Sequence, residues 1–225
     1  RMREMLRVAG GAGGLAAHQV VETVARTLRR ATGSAPAGPR GGGARAAARA
    51  VPMPRATVDA GAHMFASTAL WPCAEPGDLL ISNGLATMGV ALPAAIGAAL
   101  QERSRPVVAF TGDGGLAMCL GELATAVEQR APVIVVVFND AALSLIDIKQ
   151  QHRGLAATGV RTREADFRGV MRALGGQAWR AATAASLRAA VRRAHALASG
   201  GGGPCLIDVR VDPCGYRAQM RALRG

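Results

Sequence analysis

Lysine is almost absent from this chain: Lys149 is the only one, and the formal charge of +12 over 225 residues is carried by arginine. Aromatic residues are scarce as well, at 3%. A basic surface that reads single-stranded nucleic acid interleaves its cations with stacking aromatics. Here the arginines are scattered, so no nucleic-acid partner is expected and the arginine excess is assigned to codon usage. Metal-ligand and disulfide spacings are missing too. Cys73, Cys119, Cys205 and Cys214 form no C-x-x-C pair, which leaves free thiols suited to a reducing cytoplasm. The best apolar run, Leu85 to Leu100, is short and broken by Pro93, so no membrane partner is expected. The basic start runs into glycines rather than an apolar core, and no secretory leader is read. Arg1 in place of methionine reads as a start inside a longer product.

Hydrophobic residues make up 50% of the chain, many of them alanine. That supports a sizeable core built by close packing of small side chains. Residues 1–16 mix arginine with glycine and read as a linker remnant, and 17–225 as one domain. Within it, His18 to Arg30 carries Val20, Val21, Val24 and Leu28 at a helical rhythm. Residues 32–53 are rich in Gly, Ala, Pro and Arg without periodicity and read as a flexible insertion. Beyond it, strands predicted near 56–59, 79–81, 106–111, 132–138, 177–180 and 204–210 alternate with helices near 62–69, 87–101, 120–130, 143–151, 164–174 and 184–198. The final arginines read as a surface tail. Alternation of this kind predicts an α/β fold, a three-layer α/β/α sandwich around a mostly parallel six-stranded sheet. Such a sheet holds its ligands at the carboxyl ends of its strands.

One of those strand ends carries Thr111-Gly112-Asp113-Gly114-Gly115, and the next carries Phe138-Asn139-Asp140-Ala141-Ala142. Glycines let backbone N–H groups approach an anion closely, and the helical turn after them adds a favourable dipole. Two carboxylates from neighbouring strands suit a hard divalent cation, which takes one or two carboxylates plus phosphate oxygens. The pattern is that of a magnesium–phosphate site.

With three further stretches, Asp59-Ala60-Gly61-Ala62-His63-Met64, Ser82 to Gly89 and Glu122-Leu123-Ala124-Thr125, the chain resembles the diphosphate-binding (C-terminal) domain of thiamine diphosphate-dependent enzymes, in the acetolactate synthase-like branch. The resemblance runs from about Val20 to the end, and the 32–53 insertion departs from it. It implies thiamine diphosphate and Mg2+ as cofactors. Asp113, Asp140 and the Ala142 carbonyl become the metal ligands. His63, Gly84, Leu85, Met88, Gly112, Asp113, Gly114, Gly115 and Asp140 become the cofactor-binding set. His63 would reach the terminal phosphate, and Met88 would lie under the cofactor and hold its two rings in a bent arrangement. Departures from the family pattern are Asp140 where Asn is frequent, Gly115 where many members carry Ser, Ala62 in place of Gln and Ala86 in place of Gly. Asn139 is expected to hydrogen-bond the turn and Glu122 to cap a helix. Leu143, Leu145 and Ile146 are expected near substrate.

The resemblance also implies what the chain does not carry. The activating glutamate of such enzymes sits on a separate pyrimidine-binding domain, of which no counterpart is read here, so no residue of this chain is assigned as catalytic. The expectation is the cofactor-binding half of a 2-keto acid decarboxylase or carboligase, inactive without a pyrimidine-binding domain or subunit, and oligomeric with it. The alternative is a non-catalytic fragment or remnant.

Overall fold

Every residue from Val133 to Asn139 is buried, so this strand must be covered on both faces. The computed structural model, which describes residues 2–8, 13–33 and 52–224, shows how. In chain order the elements are α1 (Met2–Met5), α2 (Ala17–Thr32), β1 (Arg55–Val58), α3 (Ala62–Leu70), β2 (Leu79–Ile81) and α4 (Ala91–Gln101). Then come β3 (Val107–Gly112), α5 (Asp113–Met118), α6 (Glu122–Glu128), β4 (Val133–Asn139), α7 (Ser144–His152) and α8 (Phe167–Ala173). The chain closes with β5 (Gln177–Ala181), α9 (Ala184–Ser199), β6 (Cys205–Arg210), a 3-10 turn at Pro213–Gly215 and α10 (Tyr216–Arg224).

The six strands form one sheet in the order β2-β1-β3-β4-β6-β5, and every pairing is parallel. Strand periodicity of two then sorts the side chains. Ile134, Val136 and Phe138 face one core with α2, α3 and α9. Val133, Val135 and Val137 face the other, with α4, α6 and α8. This is the expected three-layer fold.

α2 is held by its buried stripe Val20, Val21, Val24 and Leu28, and it stops where Gly33 takes φ 67, the left-handed conformation that closes many helices. α9 starts with a capping box in which Ser186 N donates to Thr183 Oγ1 at 3.2 Å.

Several boundaries differ from the sequence-based expectation. The helix expected from 87 begins at Ala91, because Met88 to Val90 form a turn. The helix expected over 120–130 is preceded by a separate one, α5, running straight out of β3. The expected insertion at 32–53 lies mostly outside the described residues; Thr32 ends α2, and the Met53 carbonyl accepts from Arg105 Nε at 2.8 Å. Of the stretch read as a linker, Leu6 is fully buried and Leu15 bridges to Val211. The tail read as surface forms α10, with Tyr216, Gln219 and Met220 buried.

Candidate functional site

Strand order reverses between β1 and β3: the chain leaves β1 toward β2 on one side and builds β3 and β4 on the other. The diverging connections open a crevice at the carboxyl ends of these strands. A cleft of about 350 Å³ lies there. Its floor is the Gly112–Gly115 turn, its walls are the segment 60–65 after β1 and the segment 142–146 after β4, and Met88 and Tyr216 close its sides.

Asp113 is the first residue of α5 and is 8% exposed. Its Oδ1 accepts from Gly114 N at 2.8 Å, while its buried Oδ2 has no hydrogen-bond partner. Burial raises its pKa, and backbone N–H groups of Gly114, Ala141 and Ala142 oppose the rise. Asp140 leaves the adjacent strand, where Gly112 pairs with Phe138. Its Oδ2 accepts from Ser144 Oγ at 2.6 Å and its Oδ1 from Ala142 N at 3.3 Å. Burial pushes Asp140 up to about 6; the Ser144 hydrogen bond opposes this, and the charge of Asp113 adds to it. Ala141, next in the chain, is held at φ 55, a conformation that costs an alanine about 1 kcal/mol. The turn there brings Ala142 into the cleft wall.

A buried and a half-buried carboxylate, the charge of the first disfavouring ionisation of the second, and one oxygen lacking a partner, suit a divalent cation. Among the described residues no group of three or more His, Cys, Asp or Glu side chains could hold a metal. A cation at this pair would therefore draw its remaining ligands from backbone and from the phosphate it accompanies.

Gly114 lies close against the cleft wall. A Cβ on Gly114 would collide with Leu143 Cδ2 and sit 3.4 Å from Met88 Cε. His63 is 4% exposed and its ring stacks on Phe138 at 4.9 Å. Burial lowers its pKa to about 4 against a backbone hydrogen bond at Phe110, so the ring is neutral, and its Nε2 is buried without a partner.

Of the expected site residues, His63, Met88, Gly112, Asp113, Gly114, Gly115, Asp140 and Ala142 are brought together around the cleft, as are Leu143, Leu145 and Ile146. Gly84 and Leu85 are not among its lining residues. The left-handed turn at Ala86 (φ 49) leaves Leu85 90% exposed while Met88 lines the cleft. Asn139 bonds Asp208 of β6, Nδ2 to Oδ1 at 2.9 Å, rather than the turn. Glu122 opens α6.

Sequence reading missed two contributors. Ser144 was hidden because a serine one turn past a carboxylate is common. Tyr216 comes from the last helix, and its one signal was being the chain's single tyrosine. Its phenol pKa stands well above the usual value through burial, then through the charges of Asp140 and Asp113.

Fold and cleft together define a doubly wound domain whose switch-point crevice is built for a phosphorylated cofactor. The chain belongs to the thiamine pyrophosphate enzyme family: residues 59–209, more than half of it, match the family described as "Thiamine pyrophosphate enzyme, C-terminal TPP binding domain". It is 33% identical over 156 residues to an acetolactate synthase of Bacillus subtilis (strain 168), a match covering 69% of this chain and 27% of that protein. It is 44% identical over 94 residues to the acetolactate synthase isozyme 1 large subunit of Escherichia coli (strain K12), covering 42% of this chain and 17% of the relative. The match thus spans only a small part of these relatives' length. Among solved structures, the thiamine diphosphate-dependent 4-hydroxybenzoylformate decarboxylase of Rhodococcus jostii RHA1 superposes with a TM-score of 0.71 at 22% identity, covering 91% of this chain and 34% of that one. This supports the shared fold.

Proposed function

We propose that this chain supplies the diphosphate-binding half of an acetolactate synthase-like 2-keto acid decarboxylase or carboligase, with Mg2+ bridging protein and cofactor. The observation that carries the reading is the Asp113–Asp140 pair at the ends of adjacent strands, with Asp113 Oδ2 unpartnered. In this reading Asp113, Asp140 and the Ala142 carbonyl hold the cation. Backbone N–H groups of the Gly112–Gly115 turn receive the diphosphate at the start of α5, and His63 lies beside its terminal end. Met88 supports the rings from below. Thiamine diphosphate, when bound, supplies the electron sink for loss of carbon dioxide from a 2-keto acid. The chain's own residues bind it, orient it and keep water from it, and Leu143, Leu145 and Ile146 face the substrate. The group that activates the cofactor comes from a pyrimidine-binding domain or subunit. The working assembly is an oligomer, and its compartment is the cytoplasm.

Isothermal titration with thiamine diphosphate tests this directly. Uptake is expected only with Mg2+ present, and Asp113→Ala is expected to abolish it with the far-UV spectrum retained. Metal-independent uptake, or an unaffected Asp113→Ala, would refute the assignment. Adding a separately produced pyrimidine-binding domain should then yield pyruvate decarboxylation. Binding without any turnover would mark the chain as a non-catalytic cofactor module.

A further inference from the structure

We infer that Asp59 is the positioning residue of this site, fastening the diphosphate turn to the Met88 segment and filling the space beneath Gly115. The inference rests on the reading above, that the Gly112–Gly115 turn receives a diphosphate.

Asp59 follows β1 directly and is fully buried. It does not line the cleft, yet it touches both pieces that form it. Its Oδ2 accepts from Thr111 Oγ1 at 2.5 Å, the residue that opens the glycine turn. Its Oδ1 accepts from Ala91 N at 2.7 Å; burial raises its pKa, and the Thr111 hydroxyl and the N–H groups of Ala91, Gly89 and Val90 oppose the rise. It thus takes the first amide of α4, where no side chain of α4's own N-cap residue bonds the helix. Main-chain bonds complete the junction: Asp59 N to Phe110 O at 3.0 Å, and Ala60 N to Thr87 O at 3.4 Å.

A carboxylate is suited to this place because it only accepts, and each neighbour named here only needs to donate. Helix N-terminal amides also favour negative charge. Thr57 Oγ1 also ties β1 to α4 by donating to the Ala91 carbonyl at 2.7 Å, but among the described residues Asp59 is the side chain that bonds both Thr111 of β3 and the start of α4, and so couples the Gly112–Gly115 turn to the Met88 segment. The same oxygen decides the residue above it. A Cβ on Gly115 would collide with Asp59 Oδ2 and lie 3.0 Å from Thr111 Oγ1. Gly115 has no left-handed φ that would demand glycine. The space beneath it is occupied by Asp59, so in this chain a side chain at 115 requires the carboxylate to shift away from Thr111.

A double-mutant cycle on the full chain tests this, with the dissociation constant for thiamine diphosphate at saturating Mg2+ as readout and circular dichroism to confirm folding. Unpairing buried donors costs enough to weaken binding about tenfold or more. Asp59→Ala and Gly115→Ala are each expected to do so. In the Asp59→Ala background, Gly115→Ala should cost less than about twofold, because the oxygen it struck is gone. Asp59→Asn keeps one acceptor oxygen, and Thr111 Oγ1 already has the Gly112 carbonyl at 3.1 Å as an alternative acceptor, so this variant should recover most of the loss. Equal cost of Gly115→Ala in both backgrounds, or unchanged affinity in Asp59→Ala, would overturn the inference.

Amide hydrogen exchange in the absence of cofactor separates this inference from the functional reading. Asp59→Ala, or Gly115→Ala should the former fail to fold, is expected to speed exchange at 88–91 and 112–116 together while α9 stays protected. If the wild type takes up no cofactor, the functional reading fails but this pattern still decides the role of Asp59. Exchange that is unchanged, or faster throughout the domain, would refute a positioning role.

Discussion

His63 and Asp140 line one cleft with ionisation preferences displaced in opposite directions. Burial holds the His63 ring down to about 4, and burial with the charge of Asp113 pushes Asp140 up to about 6. Linkage gives the signs. Between about 6.5 and 4 the unfolded histidine takes a proton that the folded one refuses, so its contribution to stability is lost as pH falls. Between about 6 and 3.8 the folded Asp140 holds a proton that the unfolded one has released, so its contribution grows as pH falls. Denaturant titrations from pH 7 to 4 without divalent ions are expected to show the wild type losing stability relative to His63→Gln and gaining it relative to Asp140→Asn. The residues that sequence could supply were those whose type is itself the chemistry: an aspartate after a strand, glycines beside it, a second carboxylate one strand on. That Leu85 stands exposed beside a cleft-lining Met88 was not legible, because one left-handed residue, Ala86, decides which neighbour faces the cleft. A backbone angle of that kind leaves no trace in a pattern of apolar positions.

At the scale of elements, the short strand β2 is held in place by charge. Arg105 Nη2 donates to Asp78 Oδ1 at 2.6 Å, and Asp78 Oδ2 accepts from Ala74 N at 2.7 Å and Glu75 N at 2.8 Å. Both side chains are under a tenth exposed. Removing one partner strands the other in a dry setting, so Asp78→Ala is expected to cost about 3–5 kcal/mol. Asp78→Ala combined with Arg105→Met should recover much of the loss, as read from urea midpoints. Strands were legible in the sequence to within a residue or two, because runs such as Val133 to Phe138 have no other use than a sheet covered on both faces. Helix starts were less so. α4 begins where a carboxylate from another element meets its amides, and periodicity cannot anticipate a cap that comes from β1.

For the molecule as a whole, the two ends of the described chain close the fold beside the cleft. Gln219 Nε2 donates to the Leu6 carbonyl at 2.8 Å across 213 positions of sequence. Tyr216 is 4% exposed and packs in the core that α2 and α3 share. Tyr216→Ala is expected to destabilise the domain by about 3 kcal/mol and to speed amide exchange around Leu6, which thermal melts and exchange mapping would report. Both segments read as linker and tail in the sequence. Their burial depends on contacts between the two ends of the chain; α10 does carry Tyr216 and Met220 one turn apart, but so short a stretch does not announce which surface it covers.

The sheet order carries a temporal consequence. β6 lies between β4 and β5, and among the described residues β5 pairs with β6 alone. On a ribosome, the fifth strand therefore waits, unattached, until Cys205 to Arg210 have emerged. Until then β4 presents a bare edge, and with parallel pairings only, no local hairpin can seed the assembly. A nascent chain halted before residue 205 holds a four-stranded half-sheet with an open flank, a form that chaperones rather than cofactor would have to shelter.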